Sequence, residues 1–275
     1  MASGFDTVSF LSDYGLVDEF VGVVKAVIRA FAPEATVLDV THQVAPHDVR
    51  GGSLVLARSI QYLPAGVVLA VVDPGVGTDR RAVAVEVGDD DPDGPGRSVL
   101  VGPDNGLLAP AVALAGGARR AVALTNPAYH LPTPGPTFAG RDVFGPVAAH
   151  LCTGVELDEL GEAVDPYSLV PGIVPLSRAE DGAIEAEVLW VDRFGNAQLN
   201  LDPDDLAAMG SPVVLRMGDR SRSAVRVGTY AELGPGQVGL VVDSYGLLAI
   251  SLDRRSAAEE LHLAPGDLVR LEPAQ

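Results

Sequence analysis

An aspartate and an arginine seven positions apart follow one apolar run of the chain. Asp73 comes directly after the valine-rich stretch 67–72, and Arg80 follows a turn rich in proline and glycine. The apolar run predicts a buried strand, and ligands of α/β proteins bind at the carboxyl ends of such strands. The two side chains could therefore form an ion pair at the floor of a site. A carboxylate that caps the strand, beside a solvated arginine, is the alternative.

Other polar side chains also follow predicted strands. Asp13 and Asp18 lie between the first strand and the first helix, where a carboxylate can accept two hydrogen bonds from a ribose diol. Asp18 is equally suited to cap that helix. Asn105 lies in a turn before a later helix, and the turn could either cap the helix or line a pocket.

Two histidines follow the second predicted strand. His42 and His47 are five residues apart, which does not place two metal ligands on one helix face, and no third ligand is evident. We therefore expect no metal site. We interpret His47 as a pocket residue and His42 as a structural, hydrogen-bonded one. In the second half of the chain, Asp192, Asn196 and Ser244 lie in turns after apolar strands, and each turn taken singly is ordinary.

Composition limits the classes of protein to be considered. The chain has 275 residues, is 47% hydrophobic and carries a formal net charge of −18, which argues against nucleic acid or an anionic membrane as the main partner. Cys152 is the single cysteine, so an internal disulfide is excluded. No apolar run is long enough for a membrane helix, and residues 1–6 do not resemble the start of a signal peptide. We expect a cytoplasmic protein.

The elements that position these residues alternate between strands and helices in the first part of the chain. Strands are predicted at 8–11, 36–40, 67–72, 82–87, 98–101 and 121–124, and helices at 19–31, 49–62, 105–115 and 143–152. This alternation predicts an N-terminal α/β domain with a largely parallel sheet over residues 1–166.

The pattern changes after the α/β region. Residues 167–180, with prolines and a glycine, are predicted to be a linker, and residues 181–275 a smaller β-rich domain. Its predicted strands are 184–191, 213–217, 237–242, 247–252 and 267–271. The acidic insert 89–94 could bind calcium, but it lacks the closing glutamate of a calcium loop and is interpreted as solvated.

Six of these segments, taken together, identify a family. They are SDYG at 12–15, DVTH at 39–42, VDPGVGT at 72–78, PDNG at 103–106, TFAGRD at 137–142 and DRFGN at 192–196. In this order they resemble the S-adenosyl-L-methionine hydroxide adenosyltransferases, which are related to fluorinases and chlorinases. The resemblance covers about residues 8–255.

The resemblance implies a reaction and an assembly. Water or hydroxide would attack C5′ of S-adenosylmethionine and give adenosine and L-methionine. The leaving group is a sulfonium, so no metal or other cofactor is needed to expel it. The resemblance also implies a C-terminal domain similar to a β-barrel, and a homotrimer that binds its ligand at subunit interfaces.

The resemblance further implies roles for individual residues. Asp13 would hold the ribose hydroxyls; Asp18, Asp192 and Ser244 would face the methionine part; Asn196 would meet the adenine; Asn105, Phe138 and His47 would belong to the substrate site.

The residues that activate water are only partly present. Asp73 and Arg80 match two of the three residues that do so in hydroxide-transferring members, and Ala139 stands where the family has a histidine. Halogenase members lack the acid–arginine pair, which argues against halide as the nucleophile. Three explanations of Ala139 remain open: an engineered change, an enzyme that works with Asp73 and Arg80 alone, or a protein that binds S-adenosylmethionine without efficient turnover.

Overall fold

A computed structural model describes residues 4–88, 96–207 and 209–274. The chain divides into two compact units, 1–173 and 174–275, and the division falls inside the segment predicted as a linker. The acidic insert 89–94 lies outside the described residues. In the described part, no helix has the length and apolar character that a membrane span requires.

The N-terminal unit contains a sheet with helices packed on both faces. Its strands are β1 (Thr7–Ser12), β2 (Thr36–Thr41), β3 (Val67–Val71), β4 (Ala82–Val87), β5 (Ser98–Pro103), β6 (Ala118–Ala123) and β7 (Glu162–Val164). Its α-helices are α1 (Phe20–Phe31), α2 (Val49–Ile60), α3 (Ala109–Leu114) and α4 (Gly145–Cys152), and a π-helical turn, Gly140–Phe144, precedes α4.

The described strands of this sheet have the order β2-β1-β3-β5-β4-β6-β7. Five of them point in one direction, and β4 and β7 run against it. The prediction of a largely parallel sheet is therefore confirmed. All five residues of β3 are buried, as expected for a central strand that is covered on both faces.

Alternate side chains of β3 enter different cores. Val67, Leu69 and Val71 pack with α1 and α4, whereas Val68 and Ala70 pack with α2 and α3. This division follows from the two-residue period of a strand. The helical spacing of the apolar residues of α1 predicted this helix from the sequence. The same spacing places the buried residues of α1 in the core that contains Val67, Leu69 and Val71.

Two predicted helices differ from the structure at their beginnings. The helix predicted at 105–115 begins only at Ala109, because Gly106 has a φ of +94° and forms a turn, and Pro110 occupies the first helical turn. The helix predicted at 143–152 is preceded by the π-helical turn. Sequence periodicity did not predict the three-residue strand β7.

The C-terminal unit is a closed barrel. Its strands are β8 (Arg178–Glu180), β9 (Ala183–Val191), β10 (Ala197–Leu199), β11 (Val213–Met217), β12 (Arg220–Val227), β13 (Val238–Val242), β14 (Leu248–Leu252) and β15 (Leu268–Pro273), with one short α-helix, α5 (Ala257–Leu261), in the described part. The described strands close in the order β10-β14-β13-β12-β11-β15-β9, because β9 pairs again with β10, and β8 adds to β9.

The barrel confirms the predicted fold of the second half. Its interior is filled by aliphatic side chains such as Val188, Leu215, Leu240 and Ile250. Hydrophobic alternation does not predict strand β12, because the strand is rich in arginine and serine and Ala224 is its one buried residue. Such a strand forms by pairing with β11 and β13 and not by burying an apolar face.

Candidate active site

The carboxyl ends of β1, β2, β3 and β5 lie at the same edge of the N-terminal sheet, because these strands are parallel. Asp13 follows β1, His47 lies in the loop after β2, Asp73 follows β3 and Asn105 follows β5. Ligands bind at this edge in open α/β sheets. The fold thus brings residues that are distant in sequence to one place.

A cavity of about 240 Å³ opens at this edge. It is lined by Asp13, Tyr14, Phe20, Pro46, His47, Asp73, Val76, Thr137 and Ala139. Four of the predicted site residues therefore share one cavity: Asp13, His47, Asp73 and Ala139.

Asp73 and Arg80 form the ion pair that their spacing suggested. Arg80 Nε donates to Asp73 Oδ1 at 2.9 Å and to Oδ2 at 3.1 Å, and Arg80 Nη2 donates to Oδ2 at 2.5 Å. The side chains are 5% and 17% exposed for Asp73 and Arg80, respectively. The guanidinium also lies 5.3 Å from the ring centroid of Phe144. The pair is thus held in a fixed orientation and largely shielded from water. The alternative of a solvated Arg80 is therefore excluded.

The turn between the two residues explains how they meet. The Val76 N–H donates to the Asp73 carbonyl at 3.2 Å, and the Thr78 hydroxyl donates to the Gly75 carbonyl at 2.6 Å. Gly77 has a φ of +79°, a conformation that glycine adopts without steric cost. The chain therefore reverses within a few residues and returns Arg80 to the carboxylate.

Asp13 connects two loops of the site. Its Oδ2 accepts a hydrogen bond from the backbone N–H of His47 at 2.9 Å. His47 has a φ of +67°, which is uncommon for a residue with a side chain. The Asp13 carboxylate thus fixes the loop after β2, and both residues face the cavity.

His42 has the structural role predicted for it. It is buried and joins two other side chains, with its Nδ1 2.8 Å from Ser12 Oγ and its Nε2 3.0 Å from Asp39 Oδ1. Burial raises the pKa of Asp39, but hydrogen bonds from His42 and Lys25 outweigh it and hold that pKa below its usual range. The backbone N–H of Tyr14 donates to Ser12 Oγ at 3.3 Å, so the network reaches the loop that carries Asp13.

Tyr14 is a cavity residue that the sequence analysis did not single out. Its ring packs edge-on against Phe138, with centroids 5.7 Å apart, and lies 5.7 Å from Phe20. Its hydroxyl lies against Gly140, and a Cβ at that position would overlap it. The position of Tyr14 directly after Asp13 in the SDYG segment is a sequence signal that could have indicated it.

Three predicted substrate residues do not line the cavity. Asp18 is exposed, and the cap position of α1 is occupied by Glu19, so Asp18 does not cap the helix. The ring of Phe138 packs edge-on against Tyr14 and Phe20, two residues that line the cavity. Asn105 supports the end of β3 instead.

The side-chain amide of Asn105 forms two hydrogen bonds with the backbone of the protein. Its Nδ2 donates to the Val72 carbonyl at 2.9 Å, and its Oδ1 accepts from the Leu107 N–H at 3.1 Å. Because Val72 precedes Asp73, this side chain anchors the strand end that presents the carboxylate. A contact between Asn105 and substrate remains a prediction.

A larger cavity of the N-terminal unit is less suited to chemistry. It has a volume of about 410 Å³ and is lined mainly by aliphatic, proline and glycine residues of β4, α3 and the segment 166–171. Its carboxylate, Asp104, is bound by Arg81 at 2.6 Å and also accepts the N–H of Val170 at 2.8 Å. We therefore assign the site to the cavity that contains Asp73.

The C-terminal unit has its own cavity, of about 800 Å³. It is lined by Asp192, Phe194, Asn196, Tyr230, Val242, Asp243, Ser244, Leu252, Arg254, Arg255 and Ser256. The three residues predicted in this half, Asp192, Asn196 and Ser244, thus lie together. Tyr230 and the two arginines were not predicted.

Two aspartates organise the turns around this cavity. Asp192 Oδ1 accepts the N–H groups of Phe194 and Asn196, each at 2.9 Å, and its Oδ2 accepts the amide of Asn196 at 2.8 Å. Asp243 similarly accepts the N–H of Tyr245 at 2.8 Å and the amide of Gln198. The sequence alone suggested two ordinary turns, whereas the barrel places both turns at one cavity.

Comparison with known proteins assigns the chain to a family. The model of the SAM hydroxide adenosyltransferase N-terminal domain matches residues 8–161, and that of the C-terminal domain matches residues 186–270. The chain belongs to the SAM hydroxide adenosyltransferase family.

Relatives within and near the SAM hydroxide adenosyltransferases cover almost the whole chain. An (R)-S-adenosyl-L-methionine hydrolase of Salinispora tropica is 46% identical, over 96% of this chain and 97% of its own. A fluorinase of Actinoplanes sp. is 27% identical, over 99% of both chains. The crystal structure of an uncharacterized conserved protein from Thermotoga maritima is similar in fold, with a TM-score of 0.85 and 33% identity over 96% of this chain and 99% of that one.

Proposed function

We propose that this protein hydrolyses S-adenosyl-L-methionine to adenosine and L-methionine. The observation that carries the proposal is the shielded Asp73–Arg80 pair, at a cavity of a SAM hydroxide adenosyltransferase. The relative that is 46% identical is named as a hydrolase of the (R) form, so we propose the (R) sulfonium as the substrate.

The reaction balances without a cofactor. The oxygen of water forms a bond to C5′ of the ribose while the bond between C5′ and sulfur breaks, and its electron pair returns to sulfur. Sulfur loses its positive charge and leaves as the thioether of methionine, so no acid is required to expel it. The water loses one proton, which must be accepted within the site. Alignment of water, C5′ and sulfur supplies much of the acceleration.

Asp73 is the proposed acceptor of that proton. Its carboxylate faces the cavity, and Arg80 fixes it from the other side. General-base catalysis of this kind contributes roughly 100- to 10,000-fold. Ala139 offers only a methyl group to the cavity, so water activation in this chain does not use residue 139.

Binding is proposed to use both units. Asp13 would accept hydrogen bonds from the ribose hydroxyls in the N-terminal cavity. Asp192 and Ser244 would face the methionine part and Asn196 the adenine in the C-terminal one. We propose a homotrimer in which ligand binds at subunit interfaces. The support is the predicted division of ligand contacts between the cavities of the two units. We also propose that the protein is cytoplasmic.

A second candidate is a binding protein with little turnover. The methyl group of Ala139, which cannot activate water, is the observation that favours it. In that case S-adenosylmethionine would bind without yielding adenosine, and Ala139→His would not restore turnover.

The test is chromatographic. The protein and its Ala139→His variant are incubated with the separated (R) and (S) forms of S-adenosylmethionine, without halide, and adenosine and methionine are quantified. We expect equal amounts of the two products, faster release from the (R) form, and rates within about threefold for the two proteins. Products from the variant alone would show that residue 139 supplies the water-activating group and that this chain is an impaired hydrolase. Binding of S-adenosylmethionine without products from either protein would support the binding protein instead. A halogenated nucleoside, formed only after halide is added, would indicate a halogenase.

A further inference from the structure

The cavity offers few groups that could hold a water molecule beside Asp73. Among its lining residues, Tyr14, His47 and Thr137 carry exchangeable protons, and Ala139 does not. His47 and Thr137 are exposed side chains, whereas Tyr14 is partly buried and packed by other rings. Tyr14 is therefore the best fixed of the three.

The hydroxyl of Tyr14 has a defined orientation. The backbone N–H of Gly140 donates to the phenol oxygen. Glycine is required there because any Cβ would overlap the hydroxyl. The rings of Phe20 and Phe138 hold the phenol from the sides, with centroids 5.7 Å from its own. Since a phenol oxygen both accepts and donates, the contact with Gly140 leaves its proton available to a second partner.

The phenol also stays protonated. Burial, and then the negative charges of Asp13 and Asp73, raise the pKa of Tyr14 well above its ordinary value, and these effects outweigh the contact with Gly140 and the charge of Arg80. Tyr14 is thus a hydrogen-bond donor over the whole neutral and mildly alkaline range.

No direct hydrogen bond joins the Tyr14 hydroxyl to Asp73 within the described residues, although both line the same cavity. A donor and a carboxylate so arranged can be bridged by one water molecule.

We propose that Tyr14 is a further catalytic residue, whose hydroxyl donates a hydrogen bond to the nucleophilic water while that water donates one to Asp73. This proposal rests on the proposed hydrolysis of S-adenosylmethionine. One lone pair of the water accepts from Tyr14, and the other is directed at C5′. As the new bond to C5′ forms and the C5′–S electron pair moves to sulfur, the proton passes to Asp73 and then to solvent. Tyr14 keeps its own proton and stabilises the partial negative charge that the oxygen carries once its proton has moved toward Asp73 and before the bond to C5′ is complete.

The first test removes the hydroxyl and leaves the ring. In Tyr14→Phe we expect kcat to fall about 10- to 100-fold, as for the loss of one hydrogen bond to a charged group. KM for S-adenosylmethionine, the Kd of adenosine measured by calorimetry and the melting temperature should change little. The matched control is Tyr129→Phe, because that hydroxyl donates to Glu159 at 3.0 Å and does not line the cavity. The control should keep the kcat of the unchanged protein.

A second variant displaces the hydroxyl without deleting it. Gly140→Ala would push the phenol from its place, so we expect a similar loss of kcat. If Tyr14→Phe does not fold, the kcat of Gly140→Ala tests the proposal instead. A kcat within twofold of the unchanged protein in a folded variant, or a loss that lies entirely in KM, would overturn the proposal. Absence of adenosine from the unchanged protein would instead reject the proposed function itself.

Discussion

Replacing Asp73 by asparagine separates the two roles of this carboxylate, as partner of Arg80 and as acceptor of a proton. Asparagine has nearly the same shape, but it carries no charge and cannot take a proton at neutral pH. The variant therefore leaves the guanidinium of Arg80, 17% exposed, without its anionic partner. Stability and turnover should both fall, for different reasons.

The magnitudes follow from the burial of the pair. Breaking a buried ion pair by removing one partner costs about 3–5 kcal/mol. Asparagine can still accept one of the three hydrogen bonds of Arg80, and the guanidinium is partly exposed, so we expect about 3 kcal/mol, the lower end. Loss of the general base should lower kcat by at least about 100-fold.

The assays are urea unfolding, followed by circular dichroism, and quantification of adenosine at a temperature where both proteins are folded. Asp79→Asn is the matched control, because Asp79 is exposed and adjacent to Arg80 in sequence, and the change in charge is the same. It should alter the free energy of unfolding by less than about 0.5 kcal/mol and leave kcat unchanged. Turnover of Asp73→Asn within tenfold of the unchanged protein would refute Asp73 as the proton acceptor.

Three further predictions address the support and surroundings of the site. Asn105→Ala removes two hydrogen bonds that anchor the end of β3, so it should cost about 1–3 kcal/mol in urea unfolding and also lower kcat; an effect on KM alone would indicate substrate contact instead. Burial, followed by the charge of Asp6, raises the pKa of Cys152 to about 12, so at pH 8 iodoacetamide should modify it roughly 1,000-fold more slowly than an unperturbed thiol; rapid modification of the folded protein would contradict this. Burial lowers the pKa of His150, so the unfolded chain binds a proton more readily and stability should fall as the pH drops below about 6.5. Between pH 7 and pH 5 the melting temperature of His150→Phe should therefore decrease less than that of the unchanged protein. An equal decrease would contradict the reasoning.

The sequence predicted those parts of the fold that local patterns determine. The continuous apolar run of β3 and the helical period of α1 are strong signals, because burial on both faces or on one stripe fixes the residue types. The polar strand β12 and the three-residue strand β7 carry no such signal, since pairing with neighbouring strands forms them.

The site was predictable only in part for a related reason. The spacing of Asp73 and Arg80 suggested their pairing, and the turn between them makes it possible. In contrast, Tyr14 meets Gly140 across more than a hundred residues, and that contact exists only once the sheet is folded. For Asn105 the sequence left a helix cap and a pocket role open. In the structure its amide binds the backbone of Val72 and Leu107, and a contact with substrate stays a prediction.

The most direct test of water attack on C5′ is to run the reaction in water enriched in ¹⁸O. Mass spectrometry then locates the label in the products. We expect one ¹⁸O atom in the 5′-hydroxyl of adenosine and none in L-methionine, in the unchanged protein and, more slowly, in Tyr14→Phe. Adenosine without the label, or cleavage of a bond other than C5′–S, would contradict it.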